Sequence, residues 1–260
     1  MGKHIRRTQV CGKHILGKHI RGLLLSLALT VSTLAPAAAE ELQVAYAPAA
    51  PPSPARGAGA LFGTAESFSS DIAPFYKWTE VMSRSRSEIA GALGPCRPGV
   101  GDACAPPQWL ALVASLRSLD LRAKIERVNA EINRYPYIPS QLNWGTANHW
   151  ETPFEFFRRS GQCQDYAIVK FMALRAAGVP NELMRLVVVR DLAQAVDHAV
   201  LAVYVEGEAL VLDNQTDAIL PSSRIGHYRP YYSINEAGWW RHAPAQASAA
   251  ARAEASGVLR

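Results

Sequence analysis

The sequence predicts an α+β domain in which helices come first and an antiparallel sheet follows. Two observations carry this. Leu112, Leu116 and Leu119, and then Leu121, Ile125, Val128 and Ile132, recur at steps of three and four, the period of one helix face. Three β-branched, apolar runs then follow in close succession, at residues 183–190, 198–205 and 209–213, and runs of that composition read as strands. Helices set ahead of a sheet of sequential strands make the α+β class.

In chain order, residues 1–39 read as an export signal. They hold six basic side chains (Lys3, Arg6, Arg7, Lys13, Lys18, Arg21) and no acid, with Gly-Lys-His-Ile repeated three times. An apolar run at 23–34 precedes Ala37-Ala38-Ala39, an Ala-x-Ala cleavage site. The run is short for a membrane span, so a cleaved signal peptide and a periplasmic or secreted chain are expected. Residues 40–60 read as a flexible Ala/Pro-rich linker, 61–242 as the folded domain and 243–260 as a disordered Ala-rich tail. The formal charge of +5 lies in the leader, and removing its six bases leaves −1. No electrostatic case for nucleic acid then remains.

The four cysteines are Cys11, Cys96, Cys104 and Cys163. Cys11 leaves with the leader. Cys96 and Cys104 flank a short Gly/Pro-rich stretch and are expected to pair in an oxidising compartment, which leaves Cys163 as an odd thiol. Within the domain, residues 61–107 show few periodic signals. Residues 109–132 read as one long amphipathic helix, and 140–162 as a loop. A second helix runs from Cys163 to about Ala177, stopped by Gly178 and Pro180. Residues 228–240 read as an aromatic-rich loop, and the 198–205 and 209–213 runs as a hairpin about Glu206-Gly207.

Cys163 at a helix start suits a thiolate, because exposed amides and the positive dipole end stabilise an anion there. Its base is sought among His149, His198, His227 and His242. With a two-residue turn at Glu206-Gly207, Asp213 falls opposite Val200, and His198, Val200 and Asp213 share one face. A carboxylate there orients an imidazole and stabilises its cation. Asp197 and Asn214 are alternative orienters. For the second oxyanion donor the candidates are Gln162, Asn143 and Trp144. Trp144, Trp150, Tyr166 and Trp239 are candidates to line a cleft.

Trp150-Glu151-Thr152-Pro153-Phe154-Glu155, Gly161-Gln162-Cys163-Gln164-Asp165-Tyr166-Ala167-Ile168, His198-Ala199-Val200-Leu201, Leu212-Asp213-Asn214 and the segment from Tyr228 to Glu236 resemble a known family. It is the bacterial transglutaminase-like cysteine peptidases, whose LapG-type members are periplasmic proteases that clip surface adhesins. The resemblance spans roughly residues 70–242. It implies a papain-like, transglutaminase-like core with the nucleophile helix packed on an antiparallel sheet. It further implies a Cys163 nucleophile, a His198 general base and an Asp213 orienter, acting on a protein substrate such as an adhesin, with an inner-membrane regulator as a possible partner. LapG-type members carry acidic residues on both sides of the nucleophile, where they help to bind calcium. Here Gln162 and Gln164 stand there, so no metal or other cofactor is expected. The reading is an exported cysteine peptidase, with an acyltransferase or a non-catalytic binding module on the same fold as alternatives.

Overall fold

The computed structural model describes residues 60–92 and 104–245. The leader, the linker, Cys11, Cys96 and most of the tail lie outside the described residues. The first described segment pairs a strand, β1 (Thr64–Ser69), with a helix, α1 (Tyr76–Gly91). Trp78, Val81, Met82, Ser85 and Ile89 face the core from α1. Their spacing is helical, but Ser85 and the Arg-Ser-Arg-Ser run mask it in the sequence.

The expected single helix over 109–132 is instead two, α2 (Pro107–Arg117) and α3 (Leu121–Ile132). Asp120 separates them. Its carboxylate accepts the Ala123 amide at 2.8 Å, satisfying an end amide that a continuous helix would not expose. The expected loop at 140–162 holds α4 (Ser140–Trp144) and α5 (Pro153–Arg159). α5 starts with a capping box: Thr152 and Glu155 bond each other's backbone amides, with Pro153 at the first helical position. α6 (Cys163–Ala176) follows, and every one of its residues is buried. It ends as expected, with Gly178 at φ 84° and Val179 N–H closing on Leu174 O at 2.9 Å.

The remaining strands are β2 (Met184–Asp191), β3 (Val196–Val205), β4 (Glu208–Leu212), β5 (Leu220–Pro221), β6 (Tyr228–Ile234) and β7 (Trp239–Pro244). They form one seven-stranded sheet in the order β1-β7-β6-β2-β3-β4-β5, with every pairing antiparallel. The predicted aromatic loop at 228–240 is therefore β6 and the start of β7. Burial alternates from Tyr228 to Tyr231, the two-residue period of a strand. The register slips between Val188 and Val189, where Pro230 offers no N–H to the ladder and one residue bulges. β7 also carries regular structure two residues beyond the expected domain end.

Alternation gives the sheet two apolar faces. Leu186, Val188, Ala199, Leu201 and Val203 join the core with α1, α2, α3, α5 and α6. Val187, Val189, Val200, Ala202 and Tyr228 pack with Leu61 on the other side. The mixed helix and antiparallel sheet confirms the predicted α+β class. No helix among the described residues is long and apolar enough to cross a membrane.

Candidate active site

Glu206 and Gly207 both take positive φ, 51° and 85°, as the two central residues of a tight hairpin turn do. The turn sets the β3–β4 register, with Leu201 opposite Leu212 and Val205 opposite Glu208. Carried one step further, that register puts Asp213 opposite Val200, as the sequence predicts. The consequence is direct contact: His198 Nε2 lies 2.8 Å from Asp213 Oδ1, both side chains buried. Tyr228 O–H donates to Asp213 Oδ2 at 2.6 Å, and the Gln215 amide donates to Oδ1 at 3.0 Å. Burial alone would raise the Asp213 pKa, but the His198, Tyr228 and Gln215 donors outweigh it and hold the carboxyl down at about 2. An ionised carboxylate only accepts, so the His198 proton sits on Nε2 and Nδ1 is left for another group.

Neither alternative orienter takes this place. Asp197 is held by Arg190 at 3.2 Å and by the Tyr231 hydroxyl at 3.0 Å. The other histidines have other partners. His149 meets Glu155 at 3.2 Å, and the His227 ring packs at a tilt against Tyr228. His242 is wedged between Thr64 and Ser233, and burial drives its pKa down to about 4.

Cys163 begins α6, which packs on β3, the strand of His198. Two reciprocal bonds fix the helix start: Gln162 caps the Asp165 amide, and Asp165 Oδ2 accepts the Gln162 amide at 2.9 Å. Asp165 Oδ1 also accepts the Glu151 amide at 2.9 Å, and Gln164 Nε2 reaches both Asp165 oxygens at 3.1 and 3.2 Å. Gln164 Oε1 lies 3.8 Å from Cys163 Sγ. One sequence expectation is corrected here. Cys104 and Cys163 are both disulfide-bonded, and no described cysteine is a free thiol. The odd-thiol argument subtracts Cys11 with the leader, whereas the 260-residue chain has four cysteines, an even number that obliges none to stay reduced. The expected Cys96–Cys104 pairing involves a residue outside the described set.

Two of the three oxyanion candidates are committed elsewhere. Trp144 Nε1 donates to Glu151 Oε1 at 2.7 Å. Asn143 Nδ2 donates to Ser160 O at 2.6 Å and to Glu151 Oε1 at 3.2 Å. Gln162 differs: its Oε1 accepts the Ser140 amide, while its buried Nε2 has no partner. The aromatic cleft candidates are mostly structural. Trp150 and Tyr166 are buried, the Tyr166 hydroxyl bonds Tyr135 O, and Trp239 Nε1 donates to Asp71 O.

Sequence reasoning passes over the acid pair beneath this helix start. Glu151 is fully buried, and its Oε2 has no hydrogen-bond partner. A Cβ on Gly161 would stand 2.7 Å from Asp165 Oδ2 and 2.9 Å from Glu151 Oε2, so both carboxyls crowd the space that this glycine leaves open. Burial pushes Glu151 up to about 7 against the Trp144 and Asn143 donors, with the neighbouring Glu155 adding to the rise, and burial and Glu151 raise Asp165 well above its usual range. The unfolded chain ionises Glu151 near 4.5 while the fold keeps its proton to about 7. Its stabilising contribution is therefore full below pH 4.5 and lost as pH rises through 7. Glu151→Gln is expected to flatten the fall in melting temperature between pH 5 and 7.5; an unchanged slope would contradict this. Gly161→Ala is expected to lower the melting temperature sharply, since the new methyl meets Asp165 Cβ at 2.7 Å.

Calcium takes six to eight oxygens rich in carboxylate. Gln162 and Gln164 are neutral, and both Asp165 oxygens already accept N–H groups. Among the described residues no group of three or more His, Cys, Asp or Glu is placed to hold a metal.

Among solved structures, calcium-bound LapG of Legionella pneumophila is 26% identical, with 64% of this chain and 86% of that chain covered and a TM-score of 0.48. EGTA-treated LapG gives 26%, 66%, 87% and 0.48. A search of curated proteins finds no match. A family model described as bacterial transglutaminase-like cysteine proteinase matches residues 102–244, more than half of the chain. The chain therefore belongs to the bacterial transglutaminase-like cysteine proteinases.

Proposed function

We propose that this chain is an exported cysteine peptidase whose triad is Cys163, His198 and Asp213, acting on a protein of the cell envelope or surface. The observation that carries the reading is the buried His198–Asp213 pair at 2.8 Å, on the strand against which the Cys163 helix packs. The reduced Cys163 thiolate attacks a peptide carbonyl, with its proton held on His198. His198 gives that proton to the leaving amine, and a thioester remains. Water, deprotonated by His198, then attacks the thioester, releasing the acid and restoring the thiol. The Cys163 amide at the helix start and Gln162 Nε2 are the oxyanion donors in this scheme.

The active form is the reduced one, so turnover by the 260-residue chain is expected to need a thiol reductant. Turnover is also expected to survive exhaustive chelation, because the residues flanking Cys163 do not suit calcium. Activity that collapses with a chelator and returns with micromolar calcium would sink that part. The substrate test is terminal-amine labelling of envelope proteins incubated with reduced wild type or Cys163→Ala. New N-termini confined to wild type support peptidase action. Incorporation of an added amine without new N-termini would make the chain an acyltransferase, and neither outcome would make it a binding module.

A further inference from the structure

Lys170 lies two turns along α6 from Cys163 and is fully buried. A lysine rarely sits so deep without a specific partner. Its partners are two amides of α3 and its end: Nζ donates to Asn129 Oδ1 at 2.8 Å and to Asn133 Oδ1 at 2.7 Å. An ammonium group is a donor only. It therefore fixes which way both amides point, with oxygens toward Lys170 and NH2 groups away. Those NH2 groups hold the loop that leaves β4. Asn133 Nδ2 donates to Asp213 O at 2.9 Å, Thr216 O at 3.1 Å and Asp217 Oδ1 at 3.0 Å. Asn129 Nδ2 donates to Asp217 O at 3.3 Å.

We propose that Lys170 is a positioning residue for the triad: through the amides of Asn129 and Asn133 it clamps the 213–217 loop and so aims the Asp213 carboxylate at His198. This rests on the triad reading above. The clamp joins the helix that carries the nucleophile to the loop that carries the acid, and so couples the placement of both. Apolar packing could not replace it, because a methylene chain cannot orient an amide. With the ammonium gone, each asparagine can turn its oxygen toward the loop carbonyls, which repels them. Burial, the largest influence, holds the Lys170 pKa down at about 7 against the pull of Asp213 and Asp217, and the neutral amine still has an N–H donor for each of the two oxygens.

The test is alkylation of Cys163 by iodoacetamide against pH in the reduced full-length chain, with melting temperatures alongside. The variants are Lys170→Met, Asn133→Ala, Asp213→Asn and Lys170→Met with Asp213→Asn. A misaimed Asp213 stabilises the imidazolium less, so Lys170→Met is expected to raise the thiol's apparent pKa by about one unit, a tenfold slower alkylation below it. Asn133→Ala, which keeps the ammonium, should give the same shift, and it decides the matter if Lys170→Met does not fold. The double variant should match Asp213→Asn alone, because the two act through one contact. Lowered melting temperature with a wild-type apparent pKa, or full additivity with Asp213→Asn, would overturn the clamp. If Asp213→Asn itself leaves the thiol unchanged, the triad reading fails as well.

Discussion

Cys163→Ala and His198→Ala are each expected to reduce peptide hydrolysis by about 10⁴-fold or more, and the double variant to lose little further. The reason is that the nucleophile and its base act as one unit: a thiol without a base stays protonated, and a base without a thiol has nothing to activate. Both variants should fold. Cys163 and His198 are buried, but neither substitution adds bulk. Initial rates on a substrate found by terminal-amine labelling would measure the losses. If His149→Ala or His227→Ala abolishes turnover and His198→Ala does not, the base is misassigned.

Asp213→Asn is expected to lower turnover by about 10²–10⁴-fold with the fold intact. The amide is nearly isosteric but carries no charge for the imidazolium. Its NH2 group can also face Nε2, which would push the ring into the wrong tautomer. Tyr228→Phe should cost less, about tenfold, since it removes one of three donors to the same carboxylate. The pH dependence follows from sign. Asp213 is held at about 2, below its ordinary 3.8. Its contribution to stability is present above pH 3.8 and lost as pH falls through 2. Wild type and Asp213→Asn should therefore differ in melting temperature at neutral pH and converge near pH 2. An acid limb of activity above pH 4 must come from another group. A pH–rate profile whose acid limb vanished in Asp213→Asn would contradict this.

The hairpin is legible in the sequence because its turn and its strands agree. Glu206-Gly207 admits positive φ, and the β-branched runs on either side leave one register that keeps apolar residues buried. That register alone places Asp213 beside His198. Two helix starts are also written locally, though easily overlooked. Asp120 interrupts a leucine pattern that otherwise continues across the break, and Thr152-Pro153-Phe154-Glu155 is a capping box inside a polar stretch. β6 is harder to read, because Pro230 and four tyrosine or arginine neighbours resemble a loop until burial alternates. Tyr228 and Lys170 carry no local mark. A tyrosine gains its role only when β6 lies beside β2, and a lysine is buried only when Asn129 and Asn133 arrive from another helix. The Glu151–Asp165 pair is of the same kind: the two acids are fourteen residues apart and meet across Gly161.

The most direct test of the Cys163–His198 pairing is the pH dependence of Cys163 alkylation in the reduced chain, compared between wild type and His198→Ala. An ion pair with the imidazolium should place the wild-type thiol below the ordinary value of about 8.5, and His198→Ala should return it toward that value. Identical profiles in the two proteins, or labelling of Cys163 only after denaturation, would contradict the pairing of thiol and imidazole on which the proposed function stands.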